Sequence, residues 1–254
     1  MIELLDVRSG YNGAEKVHID QLVFRPSEIV SIIGNNGSGK STLLKTIDGQ
    51  LRYKGHLTVD GKELSEMKAK DRAKMISYLP QQVLPADMSV FTLISHGRFP
   101  FSDFSHTLSP EDRKAIENAI NIVRIESFRH KMVSDLSGGE RTLAYLAMVI
   151  AQESTYMLLD EPLADIDIPH KLYICQILAS LKKRGTGILI ASHDIPLSFS
   201  ISDRICMLDQ GKIVACGTPA EIGSQRDLMT KTLGAYVKTN DDSDALFKYS
   251  LYTK

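Results

Sequence analysis

The spacing of apolar positions changes several times along this chain, and each change marks a different kind of element. IELLDV and KVHIDQLVF, near the start, are short β-rich runs separated by turn signals, the pattern of consecutive strands. EIVSII (28–33) is apolar almost throughout and predicts a strand covered on both faces. Leu43, Leu44 and Ile47 then fall at helical spacing, which predicts a helix over 39–48, and GHLTVDG, closed by Gly61, returns to strand character. From about Val83 to Gln152 the pattern is helical, with Ser109 as an N-cap, Pro110 in the first turn and Glu111 and Asp112 behind it. The remainder alternates strand and helix through YMLLD, a helix from about Pro169 to Lys183, GILIAS, RICMLD and KIVACG. Such βα units on either side of a helical stretch describe one interrupted α/β domain over 1–254, with a helical subdomain inserted at about 83–153. After Asn240, NDDSDA gives way to ALFKYSLY, which fits either a frayed tail or an edge strand.

Between the buried run and the first helix lies GNNGSGKST, and each residue type there suits a polyphosphate. Gly34, Gly37 and Gly39 let the backbone turn its N–H groups inward around Asn35, Asn36 and Ser38. Lys40 extends toward the terminal phosphates, Ser41 offers a hydroxyl to Mg²⁺, and the helix beginning near Gly39 and running through Thr42 points its positive end at the anion. A phosphate loop alone fits kinases, switches and motors equally.

Two further segments narrow that choice. YMLLDEP reads as a buried strand that delivers two carboxylates to its C-terminal edge: Asp160 to hold Mg²⁺ through its water shell, Glu161 to accept a proton from attacking water. LSGGE opens a second helix, and Ser137, Gly138, Gly139 and Glu140 form a second anion site there. One γ-phosphate rarely needs two such loops from one chain, so the second is expected to serve a nucleotide held by another copy.

With these three motifs in this order, the chain resembles the ATP-binding cassette (ABC) ATPases, the motor subunits of ABC transporters, over residues 2 to 235. The resemblance implies an α/β P-loop NTPase with a RecA-like core, an antiparallel β-subdomain and an inserted helical subdomain. It implies that ATP and Mg²⁺ are the cofactors, that Tyr11 stacks on adenine, and that Gln81 contacts the metal and the water, with Gln82 as the neighbouring alternative. Asp167 matches the loop that crosses the dimer interface, and His193 in ASHD matches the switch histidine near the γ-phosphate. Implied partners are a second copy, two integral-membrane permease subunits and, indirectly, an extracytoplasmic substrate-binding protein. The chain departs from the family pattern at Leu163, at ADID (164–167) and at Leu143, none of them a phosphate or metal ligand. VFTLISHGRFPF (90–101) resembles an element of cassettes that serve iron-siderophore, haem and cobalamin uptake, and it suggests Phe99, Phe101 and Asp103 as permease contacts.

Composition adds exclusions. A formal charge of -1 gives no basic field, so nucleic acid is not an expected partner. Cys175, Cys206 and Cys216 are odd in number and lack CxxC spacing, which argues against a disulfide framework or a zinc site and for a reducing compartment. No apolar run approaches the roughly 18 residues of a membrane span. The resemblance implies a location at the cytoplasmic face of the membrane, reached through the permeases. Soluble cassettes of translation or DNA repair, exporter subunits and non-hydrolysing ATP-binding modules are the competing classes.

Overall fold

The computed structural model describes residues 1–101, 107–164, 166–239 and 248–253; Asp103 and Asp165 lie outside the described residues. Elements follow in the order β1 (Ile2–Tyr11), β2 (Ala14–Phe24), β3 (Ile29–Ile33), α1 (Lys40–Ile47), β4 (Tyr53–Val59), β5 (Lys62–Glu63), α2 (Ala69–Met75) and β6 (Ile76–Leu79). Three helices come next, α3 (Val90–Ser95), α4 (Pro110–Val123) and α5 (Gly138–Ala151). The chain then continues through β7 (Tyr156–Asp160), α6 (Ile168–Lys183), β8 (Gly187–Ser192), α7 (Ile195–Ile201), β9 (Arg204–Asp209) and β10 (Lys212–Gly217). It closes with α8 (Pro219–Ser224), α9 (Arg226–Leu233), β11 (Ala235–Thr239) and β12 (Tyr249–Thr253).

The strands sort by their hydrophobic pattern. β3, β7 and β8 are buried at every position, as strands covered on both faces must be, and they sit inside a sheet ordered β10-β9-β3-β8-β7-β6. All neighbours in it are parallel except β10, which turns back on β9. The part-exposed strands β1 and β2 join β4 and β5 in a separate antiparallel sheet, order β2-β1-β4-β5. Leu4, Ile19, Phe24, Leu43, Leu44 and Leu57 fill the space between the two sheets and α1. A second core joins α3, α4, α5 and α6 through Ile94, Ile116, Ile120, Leu143, Ala147 and Ile174. The helix caps are those the sequence calls for, since Ser109 and Asp112 form a reciprocal capping box with Pro110 inside it. The tail resolves as a strand, Tyr249–Thr253, paired antiparallel with β11.

The cysteines differ from expectation. Cys206 on β9 and Cys216 on β10 are cross-strand partners and are joined as a disulfide, with Cα atoms 4.1 Å apart, which leaves Cys175 free. Counting cysteines misses this pair, because bridging requires only that two of them face each other across a hairpin.

Asp48 gives one measurable consequence of the fold. It caps the C-terminal end of α1, where the helix dipole is negative, and burial pushes its carboxyl up to about 6 against the Gln50 amide and the nearby Arg72 guanidinium. A carboxyl raised on folding binds its proton more tightly in the native state. Its contribution is therefore greatest below the unfolded value and is lost as pH rises to about 6. Asp48→Asn is expected to raise stability by about 1–3 kcal/mol at neutral pH, with the gain shrinking toward pH 5, as read from urea unfolding midpoints.

Candidate functional site

β3 ends at Ile33, and the chain turns through Gly34–Gly39 into α1, at the carboxyl ends of the parallel strands. At Gly34 a Cβ would lie 2.3 Å from the Leu208 carbonyl oxygen, and Gly39, at φ +110, would bring one to 2.6 Å from a Val17 methyl. Only glycine permits this loop path. Lys40 is buried; its Nζ donates to the Gly34 carbonyl at 2.8 Å and to that of Asn35 at 3.4 Å. The Ser38 hydroxyl is buried with no partner, an open polar position inside the loop. Asn35 turns its side-chain amide away, donating to the Thr232 carbonyl at 2.8 Å and tying the loop to α9.

β7, one strand removed from β3 across β8, brings the acids. Asp160 is 2% exposed, accepts from Ser41 Oγ at 2.9 Å on one carboxylate oxygen and from the Tyr78 phenol at 3.1 Å on the other. Burial pushes its carboxyl above the usual range, which the Ser41 and Tyr78 donors oppose. Glu161 adopts φ +53, a left-handed backbone that a glutamate rarely takes, and its N–H donates to the Ala191 carbonyl at 2.9 Å. Such strain, about 1–3 kcal/mol, gathers at functional positions. The turn aims the Glu161 carboxylate into the cleft. One oxygen lies 3.7 Å from Lys40 Nζ, and the other meets His193 at 2.6 Å from Nδ1 and 3.2 Å from the backbone N.

Asn36, Gly37, Gly39, Lys40, Ser41, Thr42, Gln81 and Glu161 thus line one cleft of about 330 Å³, with Asp160 and His193 bonded to its walls. Gln81 lines it and Gln82 does not. Lys16, which sequence reasoning passed over, completes the lining; its only signal was a cation on the strand that packs beside the loop. Tyr78 is the other residue missed, three positions before Gln81 in the short strand ISYL, where nothing local marks its hydroxyl as a partner of Asp160. Hard oxygen donors from Ser41 and Asp160 suit Mg²⁺, and the open Ser38 hydroxyl and inward-turned loop suit a phosphate.

The remaining expected residues do not line this cleft. Tyr11 is 44% exposed and borders a separate hollow of about 640 Å³ with Arg8, Gln50, Arg52 and Tyr53. Ser137 caps α5 by accepting from the Glu140 N–H at 3.3 Å, while the Glu140 carboxylate accepts from the Ser137 N–H at 2.9 Å. Those Ser137 bonds hold the Glu140 carboxyl below its ordinary value. Gly138 is exposed, and a Cβ on Gly139 would touch the His170 ring at 3.6 Å. Asp167 caps α6, accepting from His170 N at 3.0 Å and meeting its Nδ1 at 2.7 Å, so the second helix start and the loop before α6 share His170 as a neighbour.

The sequence model described as "ABC transporter" matches residues 17–164. The petrobactin import ATP-binding protein FpuC of Bacillus anthracis is 37% identical over 201 residues, 78% of this chain and 74% of that protein. The hemin import ATP-binding protein HmuV of Mesorhizobium japonicum is 33% identical over 240 residues, covering 91% and 90% of the two chains. Among solved structures, cbiO1 of Clostridium perfringens, part of the ABC transporter complex cbiONQ, aligns with a TM-score of 0.78 at 26% identity over 91% of this chain and 93% of that one. A bacterial ABC transporter cassette solved as a dimer aligns at 0.75 and 24% identity, covering 86% and 99%, and shares the fold.

Proposed function

This chain belongs to the ATP-binding subunits of ABC transporters, and on that premise we propose that it is the ATP-hydrolysing motor of an importer for an iron complex, a siderophore or haem, or for cobalamin. One observation carries the hydrolytic part: Lys40, Ser41 with Asp160, and Glu161 with His193 meet at a single cleft at the carboxyl edge of the parallel sheet. Relatives that import petrobactin and hemin support the class of solute.

ATP lies with its phosphates against the Gly34–Thr42 loop. Lys40 leaves the Gly34 carbonyl for the β and γ phosphates, and Tyr11 faces the adenine. Two copies close over two nucleotides, each completed by Ser137, Gly138 and Gly139 at the α5 N-terminus of the other copy, with Glu140 holding that cap and Asp167 crossing the interface. Ser41, Asp160 and Gln81 hold Mg²⁺, which when bound neutralises phosphate charge. Glu161 takes the proton of the attacking water, and His193, already bonded to it, orients the carboxylate. The subunit works at the cytoplasmic face of the membrane on two permeases, with a binding protein delivering solute from outside. Among the described residues no helix is long and apolar enough to cross a membrane. An apolar hollow of about 300 Å³ lined by Phe91, His96, Phe99 and Leu108 suits a permease helix, with Phe99 56% exposed and stacked on His96.

The test is uptake of radiolabelled iron siderophores, haem and cobalamin by cells whose only copy carries Lys40→Ala. Loss of one solute to background, with the others unchanged, is the expected result and names the cargo. Parental uptake of all of them would refute the assignment to this importer class.

A further inference from the structure

We propose that Tyr78 is a positioning residue for the divalent cation, fixing the Asp160 carboxylate so that the oxygen shared with Ser41 faces the phosphate loop. This rests on the reading of Ser41 and Asp160 as cation ligands given above. The two oxygens of Asp160 are divided between two donors: Ser41 Oγ on one at 2.9 Å, the Tyr78 hydroxyl on the other at 3.1 Å. A carboxylate at the end of a strand can rotate about its Cβ–Cγ bond, and one donor leaves that rotation open. A second donor from the opposite side closes it.

The second donor comes from a rigid support. Tyr78 lies on β6, which pairs in parallel register with β7, Tyr78 opposite Leu158, so the phenol reaches two residues along its neighbour. β6 is the edge strand of the sheet, and the chain leaves it at Leu79 to reach Gln81, which lines the cleft. Tyr78 therefore joins the segment leading to Gln81 to the strand that bears Asp160. A displacement of that segment is passed to the Asp160 carboxylate through one hydrogen bond.

Ligand-orienting partners outside the metal's own shell typically govern affinity by about 10- to 100-fold. The experiment compares the parent chain with Tyr78→Phe, which removes the hydroxyl and keeps the ring. Binding of a fluorescent ATP analogue is titrated with MgCl₂ and, separately, measured in EDTA. The Mg²⁺ concentration for half-maximal tightening is expected to rise about tenfold or more, while affinity in EDTA stays within about twofold. An unchanged Mg²⁺ midpoint overturns the role of Tyr78 and leaves the cation reading standing. Equal losses with and without Mg²⁺, or no binding in EDTA, assign the residue to packing and overturn it as well. If the parent chain itself gains nothing from Mg²⁺, the reading of Ser41 and Asp160 fails first, and this inference with it.

Discussion

Glu161→Gln is expected to lower ATP turnover by about 10²- to 10⁴-fold, the range lost with a general base, while ATP binding persists. The amide keeps the length and planarity of the carboxylate, so the φ +53 turn and the N–H bond to the Ala191 carbonyl have no reason to change. What changes is chemistry. The neutral side chain can still accept from His193, now at 2.6 Å from the carboxylate, but it cannot take a proton from water, and it gives up the 3.7 Å ion pair with Lys40. Loss of that pair frees Lys40 for the phosphates, so ATP affinity is expected to hold or tighten. With hydrolysis blocked, two copies have no step that reopens the sandwich, and ATP should convert the protein to a stable dimer. Phosphate release and light scattering with and without ATP check both halves. A variant that stays monomeric and hydrolyses at the parental rate would remove Glu161 from the role of base.

How much of this was legible in the sequence depended on whether the signal was local. The phosphate loop, the β7 carboxylates and the Ser109 and Ser137 caps are contiguous patterns whose geometry follows from a few neighbouring residues, and their local structure matches the reading. Pairings across the chain were not legible. Cys206 with Cys216 depends on the register of the β9–β10 hairpin, and the β11–β12 pair joins segments on either side of 240–247. The direction of the Asn35 amide depends on α9, almost 200 residues on, which no local pattern reports. Tyr78 shows the same limit: its partner is 82 residues away, on the next strand.

Arg98 makes the point most sharply, and it sets the second large expectation. In the sequence it stands beside Phe99, in the segment that suggests Phe99, Phe101 and Asp103 as permease contacts, and nothing local marks its own role: it is 4% exposed and braces the helical subdomain from within. Its Nε donates to Asp112 at 2.8 Å, and Nη1 donates to the Ala151 carbonyl at 2.8 Å and to Glu153 at 2.9 Å, while its guanidinium lies 4.0 Å from the Phe101 ring centre. The glycine before it has a packing reason too, since a Cβ on Gly97 would lie 2.2 Å from the Met148 carbonyl oxygen of α5. Burial alone would raise the Asp112 carboxyl; Arg98 and the Ser109 donors outweigh it and hold the group below its ordinary value. Arg98→Ala removes the countercharge from that carboxylate, leaving it the Ser109 donors on one oxygen, and takes the guanidinium from the Ala151 carbonyl, which is expected to cost about 3–5 kcal/mol in urea unfolding. A double replacement, Arg98→Met with Asp112→Leu, removes both charges and fills the space with apolar side chains, giving up only the Asp112 half of the Ser109 capping box, worth about 1 kcal/mol. It should therefore be less destabilising than Arg98→Ala alone, because the penalty lies in the orphaned charge rather than in the lost attraction. A cost below about 1 kcal/mol for Arg98→Ala would instead place the guanidinium at the surface, as a group free to meet the permease.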